Sequence, residues 1–487
     1  MSCGPFCYNA DIQSASTTQQ EPDMEEIVFA SAASLARAIR EKQLSSQEVM
    51  DAYLKRIEAI NPALNAVVQV RAEAARAEAR QADEALARGE QTGPLHGVPF
   101  TIKDTYDLAG MICTCGTQGR AANVAQQDAT AVARMRAAGA IALGLTNVPE
   151  LLLAYESDNL IYGRTNNPYD LARTPGGSSG GEAATIAAGG SPLGLGTDSG
   201  GSIRVPAHFC GVAGLKPTWG RVPLTGLFPP PLGTNARIRH AGPLARYVED
   251  LALALPIIAG MDWRDAGVVP MPLNDHRAVD LKRLRVAFFT STPLGAPTPE
   301  TTKTVQKAAQ VLADAGAALE EATPPGIEQS FEFFRSITGA DGGAGLRMVL
   351  HMVGTAQISP LLQQFAALAS PTPLTAAEFG SLLVRWDLWR SAILAFLEPY
   401  DALLSPVAAT PALPHGTTFD LEKLPGFGYA IAHNLTGWPG VVVRGGTAPE
   451  GLPIGVQIVA RPWREDVALA AAQQIEATLG GWQRPAL

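Results

Sequence analysis

Histidine is scarce in this chain of 487 residues: seven occur, and those typical of them, His96, His208, His240 and His433, stand in no i,i+4 or HxxxH pair. Helix-borne metal sites need such spacing, so no metal site is read. Lysine is nearly as rare, with eight residues against 29 arginines scattered through a chain of net charge −9. A nucleic-acid surface would need basic stripes that are missing here, which leaves a small neutral molecule as the easier partner. The cysteines, Cys3, Cys7, Cys113, Cys115 and Cys210, are odd in number and too few for a disulfide framework, so reduced thiols are expected. Cys113-Thr114-Cys115 also has the wrong spacing for a redox pair. Long apolar runs are absent too. The most apolar stretch, Leu251 to Gly260, is interrupted by Pro256 and falls well short of the roughly 20 residues of a membrane helix. The first 25 residues lack the basic start and apolar run of a secretory signal. These absences predict a cytoplasmic protein with no integral membrane segment and no cofactor.

What is present alternates between two grammars. After a leader over residues 1–25, expected to be disordered or loosely attached, Ser31 to Arg40 and Ser45 to Ile60 carry apolar residues at helical spacing behind serine caps. Alanine-rich Arg71 to Arg88 has the profile of a solvated surface helix. From Val98 onward short apolar runs alternate with helical segments: Val98 to Ile102, a helix at Ala129 to Ala138, Ile141 to Leu145, a helix after Gly180, Pro192 to Gly196, then Leu284 to Phe289, Gly440 to Val443 and Leu452 to Val459. That alternation predicts an α/β sheet. Residues 324–400 lack strand candidates and read as a helical insertion near the substrate pocket, within a single domain over 26–487.

Three segments carry chemistry. Pro175-Gly176-Gly177-Ser178-Ser179-Gly180-Gly181-Glu182 surrounds two serines with glycines, which permit unusual dihedrals and close approach. Its bland reading is a helix-entry turn with Ser179 as cap and Glu182 completing a capping box. Gly194-Leu195-Gly196-Thr197-Asp198-Ser199-Gly200-Gly201-Ser202-Ile203-Arg204 lies between an apolar strand and a helix. There the main-chain N–H groups of Ser199, Gly200, Gly201 and Ser202 can converge on one oxygen, which makes Ser202 the leading nucleophile candidate. The bland reading is a tight turn with Asp198 and Arg204 as a structural ion pair. A serine needs a base, and no histidine is specially placed. Lys103 ends the strand-like run Val98 to Lys103, and burial there would favour its neutral form.

Together these segments resemble the amidase signature family. Gly93-Pro94-Leu95-His96-Gly97-Val98-Pro99-Phe100-Thr101-Ile102-Lys103-Asp104 is similar to the block bearing that family's catalytic lysine. Thr146-Asn147-Val148-Pro149-Glu150, Cys210-Gly211-Val212-Ala213-Gly214-Leu215-Lys216-Pro217-Thr218, Asn434-Leu435-Thr436-Gly437 and Gly451-Leu452-Pro453-Ile454-Gly455-Val456-Gln457 fit as well, so the similarity runs over about residues 26–487. The resemblance implies one large domain with a central mixed, mostly parallel twisted sheet covered by helices. It also implies roles: Ser202 as acyl-enzyme nucleophile, Ser178 as the bridging serine after a cis peptide bond, and Lys103 as terminal base. The activity implied is hydrolysis of carboxylic amides, with anilides, esters or carbamates within reach, by a monomer or homodimer acting on small molecules.

The tail reads Val443-Arg444-Gly445-Gly446 where family members usually have a proline, and Gly220 to Arg239 is also less typical. Substrate choice is expected there, in the insertion and in Leu151-Leu152-Leu153-Ala154-Tyr155. The corresponding loop of the family's fatty acid amide hydrolases lines the acyl channel, so Leu152, Leu153 and Tyr155 are expected to meet the apolar part of a substrate; Ser178 is expected to meet substrate too. Two rivals remain. Gly176-Gly177-Ser178-Ser179-Gly180 satisfies G-x-S-x-G, the nucleophile motif of an α/β-hydrolase with Ser178 attacking. The amidase subunit of a tRNA-dependent amidotransferase is similar too, and would feed ammonia to a partner.

Overall fold

The computed structural model describes Met1 and residues 24–487 apart from 232, 294 and 369–371. Most of the leader, with Cys3 and Cys7, lies outside the described residues; Met24 and Glu25, assigned to it, instead open a helix, Met24–Phe29. The serine caps form as expected. Ser31 accepts from the Ser34 N–H at 3.1 Å ahead of helix Ala32–Arg40, and Ser45 and Glu48 make a reciprocal capping box ahead of helix Ser46–Leu64. Helix Ala72–Ala87 rests on the body through Ala75 and Ala79 and leaves its other faces partly or fully exposed.

In chain order the strands are β1 Val67–Val70, β2 Pro99–Lys103, β3 Ile141–Thr146, β4 Asp158–Asn159, β5 Gly163–Arg164, β6 Leu193–Asp198, β7 Ala213–Lys216, β8 His240–Ala245, β9 Arg285–Phe288, β10 Ala318–Glu321, β11 Ala402–Pro406, β12 Gly440–Thr447 and β13 Pro453–Ala460. β4 and β5 pair with each other, and the rest form one sheet in the order β1-β3-β2-β6-β8-β7-β12-β13-β11-β9-β10. The architecture is a single α/β domain with a large mixed sheet. The expectation of mostly parallel pairing is corrected: among the described residues, six of the ten neighbouring pairs in this sheet are antiparallel. The reason lies in strands that apolar alternation does not reveal. Five of those six pairings involve β1, β7, β8 or β11, which are short or contain glycine or proline, and the sixth is the β12–β13 hairpin.

Alternating side chains split the sheet's two faces into separate cores. Val441 and Val443 join one large apolar cluster and Val442 the other; Ala402 and Leu404 divide from Leu403 in the same way. The first face is covered by helices including Ala32–Arg40, Val248–Ile258 and Glu465–Leu479, the second by Gly180–Ala187, Arg204–Cys210 and Gly428–Thr436. Between β10 and β11 the described chain is helical, with Ser330–Thr338, Ala344–Val353, Pro360–Leu368 and Ala376–Phe396 as its main pieces. This is the insertion read from the sequence. No helix among the described residues is long and apolar enough to cross a membrane.

Candidate active site

Strand alternation decides where Lys103 points. Phe100 and Ile102 on β2 belong to the first core, so Thr101 and Lys103 face the other side, toward the Gly-Ser segment and the helix Gly180–Ala187 that follows it. That helix lies close because β6 is glycine-rich: a Cβ at Gly194 would sit 1.9 Å from the Glu182 carboxylate. Lys103 is fully buried, with Nζ 2.7 Å from Ser178 Oγ, 2.8 Å from Thr197 Oγ1 and 3.4 Å from the Thr197 carbonyl. Its partners are all neutral oxygens. Burial, and then the positive charge of Arg239, hold the Lys103 amine well below its ordinary range.

The Gly177–Ser178 peptide bond is cis. Ser178 is 1 % and Ser202 8 % exposed, and the two segments are joined by the Ser179 N–H donating to the Ser202 carbonyl at 3.1 Å. The capping-box reading of this segment fails. Ser179 precedes the helix without a side-chain cap, its hydroxyl pairing with the Thr197 backbone, and Glu182 accepts from Thr101 Oγ1 and from Thr146 Oγ1, the latter at 2.8 Å. Burial pushes the Glu182 carboxyl up to about 7.

Asp198 and Arg204 form the buried ion pair, with Nε and Nη2 each 3.0 Å from the carboxylate. Asn434 and Gln457 complete the network: Asn434 Oδ1 accepts from Arg204 at 2.6 Å, Gln457 Oε1 accepts at 3.1 Å, and Asn434 Nδ2 donates to Asp198 at 2.9 Å. Both C-terminal sequence blocks therefore serve the turn that carries Ser202. Burial raises the Asp198 carboxyl, but the charge and hydrogen bonds of Arg204 outweigh it and hold the group below the usual carboxylate range. One member of the expected oxyanion hole is reassigned, because the Gly201 N–H donates to Asp198 at 2.7 Å. The N–H groups of Ser199, Gly200 and Ser202 have no protein acceptor among the described residues.

A cavity of about 800 Å³, its mouth included, opens beside Ser199, Gly200 and Ser202. Leu152, Leu153 and Tyr155 line it; Ser178, expected to meet substrate, is not part of this lining and accepts from Lys103. Leu151 and Leu152 hold left-handed backbone angles, φ 53° and 67°, uncommon for such side chains. The insertion adds Phe331, Phe334, Phe365 and Leu368, and the stretch before helix Gly428–Thr436 adds Phe419 and Leu424. Nothing in the sequence pattern marks the last two. Part of the stretch from Gly220 to Arg239, including Val222, Leu227, Pro230 and Arg239, instead borders a different groove with Trp219 and Arg264. Arg444 is absent from the cavity wall, its guanidinium lying over the Tyr169 ring at 5.6 Å.

Lys103 is not alone in ending a strand. Lys216 closes β7 and is equally buried, which the sequence pattern does not signal. Among the described residues its amine meets only carbonyls, those of Trp438 and Pro217, with no hydroxyl in reach to act on. His240 and His433 are buried and kept from protonation first by burial, and neither lines the cavity at Ser202.

Residues 48–469 match the Amidase family. One component of the glutamyl-tRNA(Gln) amidotransferase of Roseiflexus sp. (strain RS-1) is 36% identical over 89% of this chain and 93% of its own length. Fatty-acid amide hydrolase 2 of Homo sapiens is 34% identical over 95% of this chain and 92% of its own. Among solved structures, a 6-aminohexanoate cyclic dimer hydrolase in complex with substrate superimposes with a TM-score of 0.84 at 28% identity, over 94% of this chain and 99% of that one. With the family matched along most of its length and the fold shared, the chain belongs to the amidase signature family of C–N bond hydrolases.

Proposed function

We propose that the chain hydrolyses carboxylic amides through an acyl-enzyme on Ser202, with Ser178 as bridge and Lys103 as base. One observation carries this reading: a fully buried lysine amine, bonded to no carboxylate among the described residues, 2.7 Å from a serine hydroxyl in the segment that abuts Ser202. Neutral Lys103 takes the Ser178 proton as Ser178 takes that of Ser202, and Ser202 Oγ attacks the carbonyl carbon. The resulting oxyanion is met by the N–H groups of Ser199, Gly200 and Ser202, where loss of one donor costs about 3–4 kcal/mol. The proton then returns through Ser178 to the leaving nitrogen, the C–N bond breaks, and water repeats the attack on the ester to release acid and restore Ser202. The apolar cavity favours an acyl or aryl group, and anilides, esters and carbamates present the same carbonyl to the same relay.

The α/β-hydrolase alternative loses support because, among the described residues, no histidine bonds Ser178 or Ser202. The likeness to the amidotransferase component favours a second reading, glutamine hydrolysis within a complex. A panel of chromogenic anilides, esters and carbamates, with mass spectrometry of a phosphonylated adduct, separates the two. The expected result is turnover by the purified chain and an adduct on Ser202, both lost in Ser202→Ala. Turnover of glutamine alone, and only with partner chains present, would overturn the preferred reading.

A further inference from the structure

Tyr155 lines the cavity beside Ser202, and its hydroxyl donates to the Gly200 carbonyl at 2.7 Å. The other end of the same peptide is also held, by the Gly201 N–H on Asp198 at 2.7 Å. A planar amide gripped at both its oxygen and its nitrogen cannot turn without losing a hydrogen bond. This matters because both residues flanking that peptide, Gly200 and Gly201, are glycines. Gly201 sits at φ +114°, and a Cβ there would lie 2.8 Å from that of Ala430. Packing thus demands glycine, and glycine leaves the turn free to drift unless something else fixes it. The hydroxyl is itself well placed. The Tyr155 ring stacks on Phe427 with centroids 3.9 Å apart and planes 10° from parallel, and a Cβ on Gly200 would come within 3.3 Å of the tyrosine oxygen.

We propose that Tyr155 is a positioning residue which, through the Gly200 carbonyl, aims the N–H groups of Gly200 and Ser202 at the oxyanion, so that one side chain both receives the substrate's apolar part and sets the rate of its chemistry. The assignment rests on Ser202 being the nucleophile. Tyr155→Phe keeps the ring and removes only the clamp. On an anilide substrate it lowers kcat about three- to tenfold, the worth of one neutral hydrogen bond, and leaves KM within about twofold. Two inhibitors distinguish this from a structural role. An aryl trifluoromethyl ketone, which adds to Ser202 as an oxyanion, weakens by the same factor as kcat, while the matching aryl alcohol binds wild type and variant alike. Equal weakening of both inhibitors, or an unchanged kcat, overturns the proposal. Phe427→Leu loosens the ring and retains the hydroxyl, so it lowers kcat in the same direction by less; a changed KM with kcat intact counts against the clamp. A trifluoromethyl ketone that forms no adduct on Ser202 of the wild type would instead remove the nucleophile assignment itself.

Discussion

At the scale of single residues, the buried amine of Lys103 governs the expected behaviour. Removing it in Lys103→Ala deletes the proposed proton acceptor while adding little strain, so kcat is expected to fall by about 10²–10⁴. The thermal midpoint should hold or rise, since a buried ionisable group disappears. Kinetics and a melting curve on the same preparation check both halves. Burial and Arg239 lower the Lys103 amine from its ordinary value, and the relay needs the neutral form, so activity is lost as pH falls through the lowered value and complete above it. A profile of kcat/KM against pH should rise toward alkali and level off well below the ordinary lysine range. A flat profile down to about pH 5, with chemistry rate-limiting, contradicts a lysine base. Lys103 was legible in the sequence because it closes an apolar run; Lys216 closes β7, which no such run marks, and is equally buried. What separates them is the neighbour each meets across the fold, two hydroxyls for one and two carbonyls for the other.

Elements bring the cavity walls together through two buried glutamates that bracket the Leu151–Tyr155 loop. Glu150 accepts from the Ser359 N–H at 2.6 Å and from Thr117 at 2.9 Å, anchoring the helix Pro360–Leu368 that supplies Phe365 and Leu368. Glu156 accepts from Gly416 at 2.9 Å and from Thr418 Oγ1 at 2.9 Å, anchoring the segment that leads to Phe419. Glu150→Ala removes both acceptors and leaves the buried Ser359 N–H without its partner. It is expected to cost about 1–3 kcal/mol of stability and to raise KM for aryl substrates more than it lowers kcat. Urea denaturation together with Michaelis kinetics tests this. The helices themselves were readable from spacing and caps, as Ser45 with Glu48 illustrates. Their docking was not, because it hangs on hydrogen bonds between residues 209 apart in sequence.

Across the whole molecule, the site is a seam between a sheet and two buried helices, and its charges feed into global stability. Glu182, packed between β2, β3 and β6, holds its proton up to about 7 in the folded state against 4.5 in an unfolded chain. The folded state therefore binds the proton more tightly, and its stability falls as pH rises from about 4.5 to about 7 and then levels. Relative to Glu182→Gln, the wild type should lose on the order of a few kcal/mol at most between pH 5 and 8, measured by denaturation at both. A difference independent of pH would show that Glu182 titrates normally.

The sequence by itself determined the family, the α/β class, the helical insertion and the three blocks bearing Lys103, Ser178 and Ser202, because local periodicity and glycine-rich turns are short-range properties of the chain. Only the tertiary structure decided that antiparallel pairs outnumber parallel ones among the described residues, that the Gly201 N–H belongs to Asp198, and that Tyr155, expected only to meet substrate, also bonds the Gly200 carbonyl. Those outcomes depend on which distant segments meet, and a pattern read along one chain holds no information about partners set by packing across a sheet.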